Sequence, residues 1–306
     1  MLLASHPQVT TVGELNLSAI DDPETYPCSC GTKLRECEFW RRVSARVVAS
    51  GPSFEVTRAG TDFRAVDSAL ARSLLRPLHR GPALETLRDA TLACLPAWRR
   101  SLGRTQRANA ALVGAVLGET GAHVIVDSSK SGVRLKFLLR NPALDVRVIR
   151  LVRDGRAVAL TYTDPARYAD AQDPSLRGGG TGGHRERERL SIEAAAHEWR
   201  RSHEEGLAVV RGLEPSKWAE VRYESVCLDT EATLERVFAF LGVDRDQPRA
   251  PFRERRLHVV GNGMRLDTLR AVTLDDRWTT ALSAHDRRAF DSVAGALNRQ
   301  FGYEGS

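Results

Sequence analysis

Nowhere in the 306 residues is there an apolar run approaching the length of about eighteen that a membrane-crossing helix needs, so no membrane span is expected. No GxxxxGK[ST] stretch occurs either, which removes the nucleotide and polyphosphate kinases that wrap a phosphate chain in such a loop. The opening MLLASHPQVTTVGEL has neither the basic flank nor the long apolar centre of a secretory signal, and the expected setting is the cytoplasm. Aromatic residues make up only 6% of the chain and rarely interleave with its lysines and arginines, which argues against a nucleic-acid face. No internal repeat is present. Cysteine is scarce: five in all, with Cys28, Cys30 and Cys37 together in CSCGTKLREC. A structural zinc site takes four ligands, and no second paired knuckle follows. The expectation is reduced thiols in a tight, cap-like loop. Zinc completed by Cys94, Cys227 or a histidine is one alternative, and a disulfide is another.

What is present is an ordinary globular composition, 42% hydrophobic and 27% charged, with a net charge of +6. The positive balance suits an anionic ligand and equally suits solubility. Apolar residues at spacings of three and four fill 34–50 and roughly 64–120, with breaks near Pro77, Pro82, Pro96 and Gly103, and predict a helical insertion over 34–120. The glycine-rich SLRGGGTGGHRERERL (175–190) reads as a mobile surface loop, either a lid or a plain connector, that passes into a helix.

Beyond residue 120 the rhythm changes. HVIVD (123–127), VRVIRLV (146–152) and KWAEVRY (217–223) read as strands, separated by helices near 131–140, 155–164 and 187–213. That alternation predicts an α/β fold of three layers, α/β/α, around a central parallel sheet whose ligands gather at the carboxyl ends of the strands. Polar residues collect there: Asp127, Ser128, Ser129 and Lys130 after the first run, Arg153 and Asp154 after the second. If the strand ends at Val152, Arg153 leaves the sheet at its ligand edge and the next helix aims its amino end at the same place. Thr161, two turns along, shares a face with Asp154. A guanidinium fork, helix amides and a hydroxyl suit a phosphate monoester. Pairing of Arg153 with Asp127 or Asp154, and bonding of Thr161 to its own helix, are the structural alternatives.

The segment VIVDSSKSGVRLKFLLRNPALDVRVIRLVRDGRAVALTYT resembles the central part of the sulfotransferases that use 3′-phosphoadenosine 5′-phosphosulfate (PAPS). HPQVTTVGEL, VRYESV, FAFLGV and HVVGNGMRLDT resemble further family segments in the same order. The resemblance implies a P-loop-NTPase-like sulfotransferase fold, with residues 1–306 as a single domain around the insertion. It implies sulfuryl transfer from PAPS to a hydroxyl or amine of a small-molecule or carbohydrate acceptor, without a required metal. Arg153 and Thr161 would hold the donor's 3′-phosphate, Thr161 replacing the family's usual serine. Asn262, Gly263 and Arg265 would form a donor loop, with Gly263 as its flexible point, and Tyr223 would contact adenine. Glu14 is the candidate general base and Lys130 the candidate countercharge, with Asp127 as the alternative base. Trp278 reads as structural, and Trp199, at helical spacing, reads as core, with a place facing the acceptor as the alternative.

The family opens with a strand and an RSGTT-type loop that cradles the 5′-phosphosulfate, and neither is found ahead of LLAS. The expectation is a late-assigned or truncated start; the alternative is a degenerate, non-catalytic nucleotide-binding homologue. Acceptor identity and oligomeric state are not legible.

Overall fold

The computed structural model describes all residues except 18, 19, 21, 23, 77–80, 169–188, 252, 253, 262, 267–271, 305 and 306. The glycine-rich stretch up to residue 188 therefore lies outside the described residues, as does Asn262. The chain divides into two compact units: Met1–Val146 with Leu241–Gly261, and Arg147–Phe240 with Asn262–Ser306. Among the described residues the strands form two parallel pairs, one in each unit.

In the first unit, β1 (Val9–Gly13) pairs with β2 (Val124–Asp127), Val9 facing Val124 and Thr11 facing Val126. The β-branched run VTTV suits an extended, fully buried ribbon. β1 stops at Gly13 because φ is +85° and a Cβ would lie 2.0 Å from the carbonyl oxygen of Val260. The Val260 amide donates to Val12 O at 2.9 Å, so the segment ending at residue 261 flanks β1. The described α-helices are α1 (Glu38–Ala49), α2 (Ala69–Leu74), α3 (Pro82–Cys94), α4 (Pro96–Thr120) and α5 (Gly132–Leu138). Proline opens both α3 and α4, where its missing amide costs nothing. The predicted break at Gly103 does not occur. One interior glycine costs about 1 kcal/mol, and α4 offsets that by burying Trp98, Leu112, Ala115 and Val116. Residues 51–68, partly inside the predicted helical run, form turns and coil up to the Ser68 cap of α2.

In the second unit, β3 (Val148–Val152) and β4 (Trp218–Arg222) run in register from Val148 facing Trp218 to Val152 facing Arg222. The described α-helices are α6 (Gly155–Thr163), α7 (Pro165–Tyr168), α8 (Ile192–Val210), α9 (Tyr223–Leu228), α10 (Thr230–Leu241), α11 (Trp278–Ala281) and α12 (Ala284–Gln300). α8 starts at Ile192, later than predicted, because the Ser191 hydroxyl caps it. α6 packs tightly: a Cβ on Gly155 would lie 2.5 Å from Phe290 and 2.9 Å from Trp199. Trp199, Phe290, Phe301 and Tyr303 are buried around Val152, which confirms Trp199 as a core residue. No described helix is long and apolar enough to cross a membrane.

Candidate functional site

Two clusters carry the predicted residues, one in each unit. In the first unit, the turns after β1 and β2 bring Glu14 and Lys130 together, with Lys130 Nζ 3.7 Å from Glu14 Oε1. Glu14 is mostly buried and Lys130 is 72% exposed, so the pair sits at the surface with its carboxylate on the inner side. Gly261, with φ +117°, is the left-handed position beside it, and its would-be Cβ lies 3.4 Å from the Glu14 side chain. Within the predicted donor-loop segment, a positive φ falls at Gly261.

Asp127 holds these turns in place. One carboxylate oxygen accepts from the Leu15 amide (3.0 Å), the Ser129 amide (2.9 Å) and the Ser129 hydroxyl (2.6 Å). The other accepts from Arg134 Nε at 3.0 Å and Nη2 at 2.9 Å. A carboxylate bonded to five donors is poorly placed to take a substrate proton, so Asp127 is a positioning group and the alternative base falls away. Arg134 is itself buried and donates to Thr61 O and Asn109 Oδ1, each at 2.8 Å. The Thr61 hydroxyl donates to Asn16 O at 2.9 Å, and the Asn16 amide to the Ser129 hydroxyl at 3.1 Å. The sequence reading missed Thr61, Asn109 and Arg134. The only signal was a buried-face arginine and asparagine at helical spacing, which pattern alone does not separate from surface residues.

In the second unit, the parallel register brings the ends of β3 and β4 side by side, and with them Arg153 and Tyr223. The guanidinium carbon lies 4.4 Å from the Tyr223 ring centroid. Arg153 Nη2 donates to the Asp275 carboxylate at 2.9 Å and to its backbone carbonyl at 3.0 Å, so its partner is neither of the two aspartates expected from the sequence. Asp275 also accepts from Arg277 Nε at 2.7 Å and Nη2 at 2.8 Å. Burial opposes ionisation of Asp275, but hydrogen bonds and charge from Arg277 and Arg153 outweigh it and hold the carboxyl well below the usual range. The Tyr223 hydroxyl accepts from the Asp275 amide at 3.2 Å, and burial first, then a bond with Cys227, pushes it up to about 12. Two arginines around one carboxylate leave a net positive, half-buried cluster, which suits an anion.

The helix end contributes less than expected. The Gly155 amide donates to Asn298 Oδ1 at 2.9 Å and the Arg156 amide to Asp154 Oδ1 at 2.9 Å, so the first amides of α6 are already used. Asp154 is the cap of α6 and clamps the Arg156 guanidinium, so it serves its own helix. The Thr161 hydroxyl donates to Val158 O at 2.6 Å, within its own helix. Gly263 and Arg265 are buried in a short turn, Gly263–Leu266. Trp278 stacks under Arg156, 4.1 Å from its guanidinium carbon, in keeping with a structural role.

A model of the Sulfotransferase family matches residues 1–247, and the chain belongs to that family. It is a transferase, and its reaction class is sulfuryl transfer. No curated protein matches the chain. Among solved structures, the chain is similar to the "Sulfotransferase Domain from the Synechococcus PCC 7002 Olefin Synthase", at 18% identity and a TM-score of 0.48, over 98% of this chain and 96% of that one. It is similar also to the "Sulfotransferase Domain from the Curacin Biosynthetic Pathway", at 16% identity and a TM-score of 0.47, over 100% of this chain and 92% of that one. Neither likeness extends to substrate or site.

Proposed function

We propose that the protein transfers the sulfuryl group of PAPS to a hydroxyl of a small-molecule or carbohydrate acceptor. The observation that carries this reading is Arg153 at the carboxyl end of β3, lying over Tyr223 and paired with a carboxylate beside Arg277. Arg153, with Thr161, takes the donor's 3′-phosphate, and Tyr223 offers its ring to the adenine. Asn262, Gly263 and Arg265 complete the donor loop. Asp275 is the anion that the phosphate displaces or shares, since both make the same charge-assisted bonds to guanidinium. This reading carries with it the three-layer α/β/α arrangement of the family.

In the transfer step the acceptor oxygen forms a bond to sulfur as the bond from sulfur to the 5′-phosphate oxygen breaks, in line with it. Glu14 receives the acceptor's proton, and Lys130 offsets charge on the transferring group. 3′-Phosphoadenosine 5′-phosphate leaves. The step requires no metal, because fixed cations supply the neutralisation.

The test is equilibrium binding by calorimetry. 3′-Phosphoadenosine 5′-phosphate is expected to bind at least about 10-fold more tightly than adenosine 5′-phosphate, the size of one charge-assisted phosphate contact. Equal affinities contradict the reading.

A further inference from the structure

We propose that Cys28, Cys30, Cys37 and His258 form a structural zinc site. Their three sulfurs and one ring nitrogen lie within 4.8 Å of one another. Cys30 Sγ is 3.7 Å from Cys37 Sγ, Cys28 Sγ is 3.8 Å from His258 Nδ1, and Cys37 Sγ is 3.2 Å from the same nitrogen. Zinc with bonds of about 2.3 Å to sulfur and about 2.0 Å to nitrogen makes a tetrahedron whose edges are about 3.8 Å (S to S) and about 3.5 Å (S to N). These three spacings lie within about 0.3 Å of those edges. A disulfide needs sulfurs about 2.05 Å apart, and bonding any two cysteines would leave the third and the imidazole turned inward without a purpose.

The backbone is built for such a ligand set. Pro27 and Lys33 form an antiparallel bridge, the Cys28 amide donates to Thr32 O at 2.9 Å, and the Gly31 amide to Cys28 O at 3.0 Å. Gly31, with φ +91°, turns the knuckle so that Cys28 and Cys30 share a side. The amides of Cys30, Thr32 and Trp40 hydrogen-bond the three sulfurs in turn. Cys37 is the cap of α1, so its sulfur also faces the positive end of a twelve-residue helix. His258 is fixed by stacking on Phe39, with centroids 4.4 Å apart and planes 5° from parallel. The Ser29 hydroxyl donates to Leu257 O at 2.7 Å and accepts from the Val259 amide at 2.8 Å, pinning the knuckle to both neighbours of that histidine.

Three thiolates and an imidazole are the borderline-soft donors zinc prefers, and four protein ligands leave no open position, so the site is structural. Cys28 and Cys37 are buried, where three uncompensated thiolates would be costly; a divalent ion cancels most of that charge. The site cross-links loop 27–37 to residues 257–261. In the same strap the Tyr26 hydroxyl donates to Gly261 O at 3.0 Å and accepts from the Gly261 amide at 2.8 Å. Gly261 packs on Glu14, so the zinc stiffens the wall behind that side chain. The proposal stands on this cluster and is independent of the donor reading above.

The test is metal analysis of the full chain, purified from zinc-supplemented medium and desalted. One zinc per chain is expected by mass spectrometry, and cobalt(II) exchange is expected to give the visible bands of a tetrahedral site with thiolate charge transfer. Cys37→Ser and His258→Ala are each expected to lose more than half of the bound zinc and to lower the melting temperature, while Cys94→Ser, at an exposed position, keeps both. Should the site variants fail to fold, the cobalt spectrum of the unaltered chain decides. A chain with free thiols and no zinc, a mapped Cys30–Cys37 disulfide, or one iron in place of zinc overturns the proposal.

Discussion

Glu14 owes its position to the glycine before it. No residue with a Cβ could end β1 against Val260, so the chain turns there and sets the carboxylate 3.7 Å from Lys130. The proposed role of general base is worth at least about 100-fold in turnover. Glu14→Gln, which keeps the shape and removes the basicity, is expected to lower kcat by that much and leave nucleotide affinity within about twofold. Single-turnover rates beside calorimetric affinities check it, and an unchanged kcat places the base elsewhere. His203 makes a second prediction at this scale. Its Nδ1 lies 3.2 Å from Arg150 Nη2, and the ring is enclosed by Trp199 and Phe301. Burial first, then the Arg150 charge, lowers its pKa from 6.5 to about 4. The unfolded chain therefore takes up the proton before the folded one, and stability falls as pH drops from about 6.5 toward about 4, by at most about 3 kcal/mol. Urea unfolding at pH 7 and pH 4.5 is expected to show this loss in the native chain and a smaller one in His203→Gln. Of the residue-level picture, Glu14, Lys130, Arg153 and Tyr223 stand in the sequence as strand-end polar or aromatic residues. Asp275 and Arg277 do not, because a carboxylate shared by two arginines arises only when segments 122 residues apart meet.

At the scale of elements, the turns after β1 and β2 are held by Arg134 on α5, Asn109 on α4 and Thr61 on the coil before α2. Removing a buried cation from its carboxylate costs about 3–5 kcal/mol. Arg134→Met is expected to lose that much stability in denaturant melts, and a loss under about 1 kcal/mol would mean that the network is incidental. Gly155→Ala is expected to be destabilised by about 1–3 kcal/mol through overpacking against Phe290 and Trp199, measured by thermal melting. β2, β3 and β4 are legible because each is an apolar, β-rich run bounded by polar residues. β1 is not, since VTTVG is short and its partner β2 lies more than a hundred residues on. The order of helices 34–120 is legible from proline and apolar spacing, but not the continuity of α4 through Gly103, which tertiary burial decides. The phosphate-ready amides expected at the start of α6 are absent because Asp154 and Asn298 reach them first, and Asn298 comes from α12, 143 residues away.

At the scale of the molecule, the family was legible from ordered segments spread along the chain, and the match over residues 1–247 agrees with that reading. The cysteine cluster was not. CSCGTKLREC shows three ligands, and the fourth, 221 residues after Cys37, sits inside a segment that reads as part of a donor loop. A net charge of +6 makes attraction of a multiply phosphorylated donor sensitive to ionic strength, so affinity is expected to weaken several-fold between low and high salt.

The most direct measurement is a cycle of two ligands and two proteins: the ratio of affinities for 3′-phosphoadenosine 5′-phosphate and adenosine 5′-phosphate, taken in the native chain and in Arg153→Ala. A ratio of about 10 or more is expected in the native chain, collapsing toward 1 in the variant, as one charge-assisted contact to the 3′-phosphate requires. A preference that survives the substitution unchanged would contradict it.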